Sequence, residues 1–63
     1  MYNGSSKLLN VEQAAKYLSL STSTLAKMRL SGESPKFVKM GRRVAYRQED
    51  LDAWIEQRLK QTT

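Results

Sequence analysis

The stretch Asn10-Val11-Glu12-Gln13-Ala14-Ala15-Lys16-Tyr17-Leu18-Ser19-Leu20-Ser21-Thr22-Ser23-Thr24-Leu25 decides how this chain reads. Val11, Ala14, Ala15 and Leu18 recur at i, i+3, i+4 and i+7, one face of a 3.6-residue period, so the spacing predicts a short amphipathic helix from about Val11 to Leu18. Asn10 stands at the N-cap position, and Gln13 completes a capping-box pattern three residues on. The adjacent small residues Ala14 and Ala15 suit a steep helix crossing, which needs close backbone approach. Ser19-Leu20-Ser21 is a tight link, with polar residues flanking one apolar side chain that can turn back toward a core. Ser21 can cap a second helix predicted to run to about Leu30, its first turn filled by Thr22, Ser23 and Thr24.

Working outward, Gly32 falls just past that second helix, where a C-terminal glycine takes a left-handed conformation. Leu25 and Met28 form its expected buried stripe, which turns Ser23, Lys27 and the Thr22, Ala26 edge outward; the period leaves the face of Leu30 ambiguous. After Pro35, two extended runs, Phe37 to Met40 and Val44 to Arg47, flank Gly41-Arg42-Arg43 and predict a two-stranded hairpin. Val44 and Tyr46 share one face of the second run, and Ala45 and Arg47 share the other. Two strands alone are marginal in water, so the hairpin must lean on the helices through some of Phe37, Val38, Val44 and Tyr46. A last helix is predicted from about Gln48 to Gln61, acidic at its start and apolar along Leu51, Trp54, Ile55 and Leu59. The stripe assigns Trp54 to the core, and Tyr46 reads the same way, rather than to base stacking.

Upstream, residues 1–7 are polar, contain Gly4-Ser5-Ser6 and show no apolar period; they read as a flexible tail ahead of one domain spanning residues 8–61. The amino terminus lacks a signal-peptide pattern and no apolar run approaches the roughly 20 residues of a membrane span, so the reading is cytoplasmic with no membrane partner. With no cysteine and no histidine, disulfides, thiolate metal sites and catalytic imidazoles are excluded. No metal or cofactor is expected, and a domain of this length must be held by packing. Glu49, Asp50 and Asp52 cluster at a helix start, where the helix dipole accounts for them, so no enzymatic activity is expected.

Charge is unevenly placed. The net charge is +5, but Lys27, Arg29, Lys36, Lys39, Arg42, Arg43 and Arg47 face only one acid, Glu33, within residues 27–47. Elsewhere Lys7, Lys16, Arg58 and Lys60 are balanced by Glu12, Glu49, Asp50, Asp52 and Glu56. A basic segment of this kind suits an anionic partner such as nucleic acid.

The residues Leu9-Asn10-Val11-Glu12-Gln13-Ala14-Ala15, Leu18-Ser19-Leu20-Ser21 and Ser23-Thr24-Leu25 resemble the opening of the excisionase-type helix-turn-helix family, itself related to MerR-like winged helices. Arg29, Gly32-Glu33-Ser34-Pro35, Phe37-Val38-Lys39-Met40-Gly41-Arg42-Arg43-Val44, Tyr46, Asp50-Leu51 and Trp54 extend the likeness to the AlpA-like branch of small prophage and mobile-element regulators. Ala26 departs from that pattern, which often has a large aromatic or Arg there. The resemblance spans Leu8 to Leu59 and implies a mainly α fold with a small β-hairpin, a winged helix-turn-helix. It further implies a sequence-specific double-stranded DNA-binding protein that steers an integrase toward excision as a recombination directionality factor, or that regulates transcription of the mobile element. A protein-binding adaptor or antirepressor using the basic wing is the alternative.

In such a protein the second helix enters the major groove with its N-terminal side chains against base edges, which nominates Ser23, Thr24 and Lys27, then Thr22. Plain capping would need only Ser21 and Thr24. Arg42 and Arg43 at the hairpin tip, flanked by Lys39 and Arg47, suit a phosphate backbone or the minor groove. Arg29 either reaches a phosphate or braces the hairpin through an ion pair. One module reads few base pairs, so cooperative self-association on adjacent sites is expected.

Overall fold

In a computed structural model describing residues 7–59, the chain runs through β1 (Leu8–Asn10), α1 (Val11–Leu18), α2 (Thr22–Ser31), β2 (Val38–Met40), β3 (Arg43–Arg47) and α3 (Gln48–Leu59). The caps form as their residues dictate. Asn10 Oδ1 accepts from the Gln13 N–H at 2.7 Å while Gln13 Oε1 accepts from the Asn10 N–H at 2.9 Å, the reciprocal capping box. Ser21 Oγ accepts from the Thr24 N–H at 3.1 Å and starts α2. Gly32, at φ 82°, ends α2 with its N–H donated to the Met28 carbonyl.

The link between α1 and α2 turns at Ser19, whose φ of 60° is left-handed. The Ser19 and Leu20 N–H groups donate to the Lys16 and Ala15 carbonyls at 3.1 and 2.8 Å, which satisfies the helix end. A residue with a Cβ reaches this conformation at a cost of about 1–2 kcal/mol. Ser19→Gly is therefore expected to stabilise the fold by about 0.5–1 kcal/mol after the extra freedom of glycine in the unfolded chain is counted, a rise in melting temperature of roughly 2–8 °C. A thermal melt checks it; an unchanged or lower midpoint would show that the Ser19 side chain offsets the strain.

The sheet corrects the two-stranded expectation. It has three antiparallel strands in the order β1-β3-β2, with Leu9 opposite Tyr46 and Lys39 opposite Val44. β1 is only three residues long and buries Leu9 alone, too few for alternation to show, and its last residue is also the α1 cap. Lys7, assigned to the tail, is tied in: its carbonyl accepts from the Gln48 N–H at 2.9 Å. The rest of that tail, residues 1–6, and the expected end of α3 at Lys60 and Gln61 lie outside the described residues. The hairpin turn is tighter than expected, because Met40 pairs with Arg43 and leaves only Gly41 and Arg42 between the strands. Gly41 has φ 62°, and no side chain stands within 4 Å of where a Cβ would project, so the backbone angle alone asks for glycine.

The core joins Leu9, Ala14, Ala15, Leu25, Tyr46 and Leu51, with Val11, Leu18 and Val44 packed against it. Tyr46 and Val44 thus dock the hairpin on the helices, whereas Phe37 and Val38 lie outside the core and stay partly exposed. Met28, expected in the buried stripe, is only half-buried, and Leu30 is 90% exposed. Trp54, assigned to the core, is half-buried: its Nε1–H donates to the Glu33 carbonyl at 3.0 Å and the Arg58 guanidinium stacks 4.3 Å from the ring. It clasps the loop after α2 to α3. On the other side of α3, the Tyr17 hydroxyl donates to Asp52 Oδ1 at 2.5 Å and ties α1 to it. The bond to Asp52 holds the Tyr17 hydroxyl above its ordinary pKa of 10.0, with desolvation and the Asp52 charge acting the same way. A raised acid favours its protonated form in the fold, so this contact contributes below pH 10 and is lost as pH rises through the raised value.

Candidate nucleic-acid interface

Each candidate side chain owes its place to an element boundary. Ser21 ends the link in extended backbone, so Thr22, Ser23 and Thr24 emerge together on the first turn of α2, all exposed. The Thr24 hydroxyl is partly committed to capping, since Ser21 Oγ donates to its Oγ1 at 2.8 Å; Ser23 Oγ lies 3.3 Å from Ser21 Oγ. Lys27, one turn on, is exposed.

The wing distributes its cations by alternation. Lys39 pairs with Val44, so it shares the sheet face that packs toward the helices, whereas Arg43 and Arg47 lie on the opposite face and Arg42 occupies the turn. As a result Ala26, Arg29 and Leu30 of α2 face Phe37, Lys39 and Val44 across one open groove. Arg42 and Arg43 border a second groove, which Asn10, Val11, Glu12 and Val44 also line. Among the described residues, none pairs with Lys27, Lys39, Arg42 or Arg43, and all four are exposed.

Two of the nominated cations are engaged within the protein. Arg47 Nε donates to Asp50 Oδ2 at 2.8 Å and Nη2 to Oδ1 at 3.1 Å, a bidentate pair, and Nη1 lies 3.1 Å from Glu49 Oε2. The acids that open α3 therefore hold the end of β3 as well as complementing the helix dipole. Arg29 Nη1 donates to the Tyr46 hydroxyl at 2.9 Å and its guanidinium sits 6.0 Å from the Phe37 ring. The partner of Arg29 is a neutral hydroxyl rather than the carboxylate an ion pair would require. Sequence reasoning gave no part to Leu30 and no interfacial part to Phe37, whose exposed apolar surfaces border the groove between α2 and the wing; the only signal was that the period left Leu30 ambiguous.

Two helices joined by a tight link, the second exposed along one side and followed by a basic hairpin, are the parts with which a helix-turn-helix protein meets DNA. The family model of a helix-turn-helix domain matches residues 8–59. The chain belongs to that helix-turn-helix family. DNA binding in the general sense comes with this membership, and the three helices with a small antiparallel sheet are compatible with its winged form. Comparison of this helix-turn-helix protein with curated proteins finds no match. Among the described residues, no helix is long and apolar enough to cross a membrane, and no cluster of three or more acidic side chains could hold a metal ion.

Proposed function

We propose that this chain is a sequence-specific double-stranded DNA-binding protein of a mobile element, acting as an excisionase (recombination directionality factor), as a transcriptional regulator, or in both roles. The observation that carries the reading is the placement of exposed cations on two adjacent elements: Lys27 on α2, and Lys39, Arg42 and Arg43 on the wing, with no acid among them from residue 34 to 48. In this reading Thr22, Ser23, Thr24 and Lys27 meet base edges in the major groove, and Lys39, Arg42 and Arg43 follow the backbone or enter the adjacent minor groove. Arg47, held by Asp50 and Glu49, serves the wing by fixing its base.

A single module of this kind buries only about 600–1,000 Å² of its own surface on DNA, too little for high specificity alone, so copies bind adjacent sites cooperatively. In the excision role an integrase is the further partner. The test is a mobility-shift titration on the DNA flanking the gene for this chain, against a scrambled duplex. Selective, cooperative shifts support the reading, and loss of excision when the protein is withheld from the cognate integrase assigns the recombination role. Absence of any shift at low salt, with a folded protein, would sink the DNA reading in favour of an acidic protein partner.

A further inference from the structure

We infer that Arg29 is a positioning residue that sets the angle between α2 and the wing, and that selective binding depends on this link. The inference rests on the DNA-binding reading above. α2 packs chiefly against α1, whereas the wing is held through β3 by α1, β1 and α3. Irregular backbone over residues 32–37 joins α2 to β2. The Arg29 side chain spans the two bodies directly: its Nη1–H bonds the hydroxyl of fully buried Tyr46 on β3, and its guanidinium faces the ring of Phe37 at the entrance to β2. The Phe37 and Tyr46 rings are themselves 6.1 Å apart and tilted by 53°. One contact therefore closes across the helix, the approach to the hairpin and its central strand.

Such a link matters more for selective than for general binding. Two contact elements reinforce one another when their spacing matches the DNA, because the second then docks at high effective concentration; loosening the joint dilutes that advantage. Non-selective binding is electrostatic and tolerates many relative placements of α2 and wing. A brace and a phosphate contact at Arg29 consequently leave different signatures. Losing the brace lowers affinity for the selected site alone and leaves the salt dependence intact, whereas losing a phosphate contact lowers the salt slope on every duplex.

The experiment is a fluorescence-anisotropy titration of wild type, Arg29→Met, Tyr46→Phe and the double variant, on the selected fragment and on a scrambled duplex, at several salt concentrations. Tyr46→Phe keeps the buried ring and removes only the acceptor. Each single variant is expected to lose roughly tenfold in affinity for the selected fragment, and the double variant no more than either. On the scrambled duplex affinity and salt slope should stay as in wild type. A drop in slope of about 0.9 for Arg29→Met, with Tyr46→Phe unchanged, would make Arg29 a phosphate ligand and overturn the inference. Additive losses in the double variant would overturn it as well. If wild type binds no duplex, the DNA reading fails, and residual dipolar couplings still test the joint: α2 and the wing should share one alignment in wild type and diverge in Tyr46→Phe. A shared alignment in the variant would overturn the brace.

Discussion

Replacing Arg42 and Arg43 together by alanine is expected to lower DNA affinity roughly a hundredfold at 0.1 M salt and to flatten the slope of log affinity against log salt by about 1.8. The magnitude follows from counterion release, in which each neutralised phosphate contributes a slope of about 0.9; taking 1 M salt as the reference, that is close to tenfold per contact at 0.1 M. Both residues are exposed at the tip of a hairpin whose two-residue turn leaves little freedom, and among the described residues neither has a protein partner to lose. The loss of affinity should therefore come without a loss of stability, which a parallel thermal melt would verify. Lys27→Ala is the comparison. A base contact from α2 would cost about 1–3 kcal/mol at the position it reads and relax selectivity there, with a smaller change in slope than the wing pair. An unchanged slope in the Arg42, Arg43 variant would remove the wing from the interface.

Leu25→Ala is expected to leave the protein largely unfolded at 25 °C. Leu25 is fully buried where α2 meets α1 and Tyr46, and truncating such a leucine costs about 2–5 kcal/mol. A core in a chain this short rarely supplies more than about 3–5 kcal/mol in total. No disulfide is available to compensate, since the chain has no cysteine. Leu30→Ala, five residues along the same helix, serves as control: Leu30 is 90% exposed and its loss should shift stability by no more than about 0.5 kcal/mol. Far-ultraviolet circular dichroism through a thermal ramp separates the two. A cooperative melt near the wild-type midpoint for Leu25→Ala would mean that the core carries less of the fold than its burial implies.

The two leucines show where sequence reasoning stops. Leu25 follows Ser21 at a spacing that capping and periodicity both fix, so its burial could be read directly. Leu30 falls near the end of α2, and only the packing of the helices and the wing decides that it borders the groove between them. The same division holds for the arginines. Their clustering in residues 27–47 was visible as charge, but only the packing of the first turn of α3 against the end of β3 separates Arg47, held by Asp50, from Arg42 and Arg43 at the tip.

By itself the sequence determined the bounds of α1 and α2 and the start of α3, the caps at Asn10 and Ser21, the left-handed stop at Gly32 and the face of β3 that carries Val44 and Tyr46. All of these depend on interactions within a few residues, on helical or strand period, or on the stereochemistry of a single residue. Only the tertiary structure decided that Leu8–Asn10 joins the sheet as a third strand, that Arg29 reaches Tyr46, and that Tyr17 and Trp54 pin α3 through Asp52 and Glu33. Those contacts join residues 17 to 39 positions apart, and nothing in local spacing encodes which distant partner a side chain meets once the helices have packed.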